Sequence, residues 1–280
     1  MVKWRRYINH NKQKQLWDLT FVTDFDLGKF YDEVLTAVLD NQDENQIQSN
    51  RQHANCIQAM WSFFACLSDA LRYIHSCATK HLDIKPGNIL VKKHPSYPYG
   101  HRVYIADFGI SRCFPTLDHS QTGAEILRTP KYCAPEVWNR KVHGRAADIF
   151  SLGCVFTEML TVLAGRDLDE FSDFRIHGEE RSSVYHATLN RVLDWIEDIR
   201  LLLSDHEFYR CFLTVWRPIE INASQFPDWV VKEDGIGAIV RMVSEDSKLR
   251  TLPTFVFSDM TFTTEYCSSC TEAREVYRED

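Results

Sequence analysis

Apolar positions recur with a helical period between Ile57 and Cys77. Ile57, Met60, Phe64, Leu67, Leu71 and Ile74 fall on one face, which predicts a long amphipathic helix. Upstream, Leu27, Phe30, Val34 and Val38 repeat in the same way behind Asp26, a capping residue, and predict a helix from Leu27 to about Leu39. The polar stretch Asn41 to Asn55 between them reads as an exposed loop, and Asp40 to Glu44 as solvated. Short β-branched and apolar runs predict strands at Leu16–Thr23, Ile89–Val91 and Val103–Ile105, with Tyr7–His10 weaker. A Pro- and Tyr-containing insert, Lys92 to Arg102, joins the middle pair, and Ser111 to Val142 reads as irregular. Helices are expected again over Arg145–Leu163, Val184–Leu203 and Gly235–Ser244.

This order places a few strands in front of a helical bulk, and no Pro/Gly/Ser-rich linker divides it, so one compact domain is expected. The run Ile149 to Leu163 is the nearest approach to a membrane span. It carries Ser151, Thr157 and Glu158 and reads as a buried core helix. A composition of 44% hydrophobic and 25% charged residues argues against wholesale disorder. Thirty-two Lys+Arg against 39 Asp+Glu leave a net charge of −7, which argues against nucleic-acid and membrane partners. The 9 cysteines follow a polar start without an apolar signal core. Reduced thiols in a cytoplasmic or nuclear protein are therefore expected.

The chemistry concentrates in His81-Leu82-Asp83-Ile84-Lys85-Pro86-Gly87-Asn88, directly before an apolar strand. A turn held by Pro86 and Gly87 can aim Asp83 and Asn88 into one cleft. Asp107, in Ala106-Asp107-Phe108-Gly109, ends the next strand. A carboxamide and a carboxylate meeting there suit Mg²⁺, a hard cation that takes oxygen ligands and shares them with phosphate.

These residues resemble the catalytic loop and metal-binding triplet of eukaryotic-type protein kinases, H-R-D-x-K-P-x-N and D-F-G. Further motifs follow in the family's order. Thr129-Pro-Lys-Tyr-Cys-Ala-Pro-Glu136 resembles the end of the activation segment, and Asp148-Ile-Phe-Ser-Leu-Gly153 the start of the long buried helix. Arg250 stands where the family pairs an arginine with the glutamate of A-P-E, here Glu136. Leu19 to Phe30 is similar to the hinge strand and first C-lobe helix.

The resemblance implies an α+β, protein kinase-like fold, mainly the helical C-lobe with a truncated β N-lobe. The domain would cover residues 1–262, with N-lobe strands and hinge in 1–24 and C-lobe in 25–262, followed by an acidic tail over 263–280. It implies an ATP-binding transferase of the serine/threonine branch, with ATP and Mg²⁺ as cofactors and a protein substrate. Asp83 would orient the substrate hydroxyl, Lys85 would contact the γ-phosphate, and Asn88 and Asp107 would hold Mg²⁺. Leu90 would floor the adenine, and backbone groups of Val22, Thr23 and Asp24 would read its edge. Lys85 with Thr129 marks the serine/threonine branch. His81, Phe108, Glu136, Asp148 and Arg250 are expected to be structural, with His81 packed on Phe108.

The chain departs from the family in two ways. Gly28 is the sole glycine among the first eighty residues, and no V-A-I-K-like strand precedes the hinge. Lys3, Lys12 and Lys14 lie in polar surroundings and read as surface residues. The glycine-rich loop, strand lysine and helix glutamate of the small lobe are thus missing. The expectation is a truncated kinase, weakly active or inactive alone, or a chain that borrows this lobe from a partner. Leu82 also replaces the arginine that pairs with a phosphorylated activation loop. Phosphates on Thr116, Ser120 or Thr122 are therefore expected to order that loop weakly.

An inert kinase-like interaction module is the alternative function, and a small-molecule phosphotransferase the weaker one. Cys267-Ser-Ser-Cys270 has no second pair and reads as incidental, and Gly235-Ile-Gly237 reads as a helix start. Trp195, Phe208, Tyr209 and Trp216 read as core.

Overall fold

The structure, a computed structural model, describes residues 25–40, 51–94, 98–113, 129–140, 144–177, 182–203 and 233–252. The expected strands at Tyr7–His10 and Leu16–Thr23, the hinge residues Val22 to Asp24 and the acidic tail lie outside them. So do Phe208, Tyr209, Trp216, Thr116, Ser120, Thr122 and the Cys267–Cys270 pair.

Strand β1 (Phe25–Asp26) turns directly into helix α1 (Leu27–Asp40). Asp26 caps it as expected: its Oδ1 accepts the amide of Lys29 at 3.1 Å. Leu27, Phe30, Val34 and Val38 are buried, so the apolar stripe of α1 faces the core. It lies against α2 (Arg51–Ser76), where Phe30 meets Phe63 with ring centroids 5.5 Å apart. Helix α2 begins well ahead of Ile57. The polar residues 51–55, expected in the loop, form its first turns, because an amphipathic helix can carry a polar start without an apolar stripe to betray it. The helix ends where Ala78 adopts φ +50° and its amide bonds the His75 carbonyl at 3.2 Å.

Two small sheets follow. Strands β3 (Ile89–Lys93) and β4 (His101–Ile105) form an antiparallel hairpin, and β1 pairs with the outer side of β3. Both strands run longer than their apolar cores suggested, so the insert between them is shorter. Strand β2 (Thr79–Lys80) pairs antiparallel with β5 (Arg112–Cys113). The loop 81–88 therefore leaves β2 and enters β3, while 106–111 leaves β4 and enters β5. Both candidate catalytic loops are strung between the same two sheets, and that brings them together.

The stretch expected to be irregular holds a 3₁₀ turn at Pro130–Tyr132 and a short helix α3 (Pro135–Trp138). Helix α4 (Ala146–Leu163) runs through the centre and is buried nearly all round. It is long and apolar enough by composition to cross a membrane, yet it packs inside the domain, as its polar residues foretold. Phe64 of α2 meets its Phe156 at 4.8 Å.

Helix α5 (Leu168–Ile176) was not expected. It is short and buries mainly Phe171 and Arg175, too few positions for a visible apolar period. Residues 184–203 divide into a 3₁₀ turn, Tyr185–Thr188, and helix α6 (Leu189–Leu203). Trp195 of α6 is core as expected, stacked on Phe171 at 5.1 Å. Helix α7 (Glu233–Met242) begins two residues before Gly235 and closes on α4 at Gly153.

Candidate active site

Asp148 organises the loop from below. It is buried in the first turn of α4, where Oδ1 accepts the Leu82 amide at 2.7 Å and Oδ2 the His81 amide at 2.9 Å. His75 of α2 sits 2.9 Å from the same Oδ2. Burial alone would raise the Asp148 pKa. The His75 bond and the facing amides outweigh it and hold the carboxyl below its ordinary value. The two amides grip a strained backbone, for Leu82 takes φ +70°, a region costly for a side chain with a Cβ.

His81 links the two loops in one tautomer. Its Nε2 lies 2.7 Å from the Ala106 carbonyl, which can only accept, so Nε2 carries the proton. Nδ1 then accepts the Asp83 amide at 3.3 Å. Burial lowers the His81 pKa and keeps the ring neutral, as this pairing requires. The ring also packs on Phe108 at 4.8 Å, as expected. The Ala106 amide donates to the Asn88 carbonyl at 2.8 Å, and the Ser111 hydroxyl to the His81 carbonyl at 3.2 Å.

Asp83 gathers its neighbours. Its Oδ1 accepts the Thr129 hydroxyl at 2.9 Å, and its Oδ2 the Asn88 amide at 2.9 Å. The Lys85 ammonium lies 2.8 Å from Oδ2 and donates to Thr129 Oγ1 at 2.7 Å. Burial would raise this carboxyl, but the bonds from Lys85 and Thr129 prevail and its pKa falls below the usual value. Asp83 is therefore an ionised acceptor on the wall of a cleft lined by Leu82, Thr129, Tyr132, Ala134 and Val137.

The Asn88 Nδ2 is spent on Asp83, donating also to its carbonyl at 2.8 Å, so the amide oxygen is turned away. One residue beyond the Ala106–Asn88 bond stands Asp107, exposed and at φ +60°. Its Oδ1 accepts the Gly109 amide at 3.2 Å. An amide oxygen and an exposed carboxylate on adjoining backbones are the oxygen donors that Mg²⁺ takes, so the residues fit the ion. Leu90 is half-buried, while its neighbours Ile89 and Val91 point into the core. By strand alternation it faces the opposite side of the sheet.

Two supports were read from sequence and a third was not. Arg250 donates to Glu136 Oε1 at 2.8 Å and to the carbonyls of Ser244, Glu245 and Ala146. Asp148 holds the amides of His81 and Leu82 and meets His75. The unforeseen support is Glu158, buried in α4, whose Oε1 accepts the hydroxyls of Tyr132 at 2.9 Å and Tyr185 at 2.7 Å and faces Lys131 at 2.9 Å. Burial, then the Glu158 charge, pushes both phenols well above their ordinary pKa. No local sequence signal joins residues so far apart, although a lone Glu in an apolar helix invites a search for partners.

A helical lobe with an ionised aspartate clasped by lysine, asparagine and threonine defines a kinase-type fold and cleft. The sequence model described as "Protein kinase domain" matches residues 28–191, more than half of the chain. The chain belongs to the protein kinase domain family. Among curated proteins it is similar to human serine/threonine-protein kinase Sgk1, 33% identical over 128 residues, 45% of this chain and 28% of that one. It is also similar to serine/threonine-protein kinase NLK2 of Xenopus laevis, 42% identical over 91 residues, 32% of this chain and 19% of that one. The matches thus span less than a third of the length of these relatives.

Proposed function

We propose that this chain carries the catalytic C-lobe of an ATP-dependent protein serine/threonine kinase. The observation that supports this most is the clasp around Asp83, in which Lys85 and Thr129 bond the carboxylate and each other. Each carboxylate oxygen has more than one lone pair, so Oδ1 can accept a substrate hydroxyl beside Thr129. Asp83 then orients that hydroxyl and receives its proton. Lys85, already at the carboxylate, offsets charge that develops during transfer. Asn88, through its amide oxygen, and Asp107, through its carboxylate, would hold Mg²⁺. When bound, ATP would supply the phosphoryl group and leave as ADP, with Mg²⁺ offsetting charge on the phosphate oxygens. Leu90 and the backbone of Val22 to Asp24 would receive the adenine.

The chain by itself turns over weakly in this reading. Gly28 is the sole glycine among the first eighty residues, and a phosphate-covering segment supplied from outside these residues would raise the rate. Buried Leu82 offers no cation to an activation-loop phosphate, so phosphorylation raises activity little. Free thiols at Cys56, Cys66, Cys77, Cys133 and Cys154 accord with a cytoplasmic or nuclear setting. The test is phosphate incorporation from Mg-ATP into a basic protein substrate, beside an Asp83→Asn control. The control should lose activity by on the order of 100-fold or fall to background. Equal incorporation by both chains would remove Asp83 from the reaction.

A further inference from the structure

Away from the cleft, three side chains from three elements converge under the β3–β4 hairpin. Glu33 of α1, Cys56 of α2 and His101 of β4 each offer one ligand atom, and these atoms lie within 4.8 Å of one another. Cys56 and His101 are buried and Glu33 is half-buried. Neither the kinase motifs nor the packing of the cleft uses them.

The histidine is oriented as a metal ligand would be. Its Nδ1 lies 3.0 Å from the Tyr99 carbonyl, so Nδ1 carries the proton and Nε2 presents its lone pair. Ligating histidines almost always donate their other ring N–H in this way, which fixes tautomer and ring direction. The carbonyl comes from a strained turn, with Tyr99 at φ +60° and Gly100 at φ +70° in succession. The His94 amide closes that turn on the Gly100 carbonyl at 2.8 Å. Phe30 packs on the imidazole at 5.0 Å and Phe25 at 6.5 Å, forming an apolar shell around it.

We propose that Glu33, Cys56 and His101 form a zinc-binding site that ties α1, α2 and the β3–β4 hairpin together. The donor set is one sulfur, one imidazole nitrogen and one carboxylate oxygen. A thiolate selects against Mg²⁺ and Ca²⁺, and the mixed set suits a borderline ion such as Zn²⁺. In a tetrahedral zinc site neighbouring ligand atoms stand about 3.5 Å apart, so side-chain movements of about 1 Å suffice. Three protein ligands leave a fourth position for water. On binding, Cys56 Sγ releases one proton to solvent and the ion takes its place.

The test uses the full chain in a background where Cys267 and Cys270 are serine, stripped of metal with a chelator. Cobalt(II) is titrated as the spectroscopic probe, then displaced with zinc(II). One Co²⁺ per chain is expected, with tetrahedral visible bands and a near-ultraviolet thiolate-to-cobalt band. Cys56→Ser should abolish that near-ultraviolet band, and Glu33→Gln should weaken binding by at least about 10-fold. Zn²⁺ should raise the Tm of the background chain. If Cys56→Ser does not fold by circular dichroism, Glu33→Gln and His101→Gln decide the matter. A folded background chain that shows no thiolate band, or unchanged affinity in both Glu33→Gln and His101→Gln, would show adventitious binding and overturn the site.

Discussion

The Thr129 hydroxyl donates a hydrogen bond to Asp83 Oδ1 at 2.9 Å and accepts one from the Lys85 ammonium at 2.7 Å. One hydroxyl thus bridges the anion and the cation of the cleft and ties Thr129 to the loop 81–88. Thr129→Ala deletes both bonds and should cost about 1–2 kcal/mol of stability. Thr129→Ser keeps the hydroxyl and should stay within about 0.5 kcal/mol of the parent. Urea denaturation of the three chains checks this. Equal losses in Ala and Ser would mean that the methyl group, not the hydroxyl, is what matters.

The acid limb of stability should have two steps. His81 is held neutral, so the unfolded chain takes up its proton first as pH falls. That contribution is complete above about pH 6.5 and is lost progressively below it. Asp83 and Asp148 have lowered pKa values, so their contributions persist above about pH 4 and fade as pH falls further. In His81→Gln an amide can still donate to Ala106 and accept from Asp83, yet it does not titrate. Denaturation midpoints from pH 8 to pH 4 should show the upper step vanish in that variant. An unchanged upper step would assign it to another group.

Gly153 and Gly237 should respond oppositely to alanine. A Cβ at Gly153 would stand 2.8 Å from Met242 Cβ and 2.9 Å from Val243 Cγ1, where α4 meets α7. Gly153→Ala should therefore cost about 1–3 kcal/mol through overpacking. This outweighs the roughly 1 kcal/mol that alanine usually adds in a helix. At Gly237 the nearest atom is Arg241 Nη1 at 3.6 Å, so alanine should be neutral or stabilising. Calorimetric Tm values compare them directly.

Arg250 is fully buried against a nearly buried Glu136 and also serves three backbone carbonyls. Arg250→Ala strands the glutamate and should destabilise by about 3–5 kcal/mol. Arg250→Lys should recover only part, since an ammonium cannot reproduce the planar fork. Full recovery by lysine would reduce the contact to simple charge pairing.

Much of this was legible because the chemistry sits in short contiguous motifs. His81 to Asn88 and Ala106 to Gly109 announce their turns locally, and the Glu136–Arg250 pair follows from motif order. Helix α5 was missed, although Asp167 and Glu170 stand at the spacing of a capping box and the Asp167 Oδ1 accepts the Asp169 amide at 2.7 Å. The early start of α2 was hidden by its polar first turns. The Glu158 cluster and the Glu33–Cys56–His101 convergence join residues distant in sequence, and only tertiary packing brings them together.

The central claim is that Asn88 and Asp107 bind the magnesium of a nucleotide beside Asp83. Its most direct measurement is ATP binding by thermal shift, at millimolar nucleotide, with and without Mg²⁺, in the parent chain and in Asp107→Asn. The account predicts a Mg²⁺-dependent rise in Tm for the parent that Asp107→Asn loses while remaining folded. The same shift in both chains, or none that depends on Mg²⁺, would contradict it.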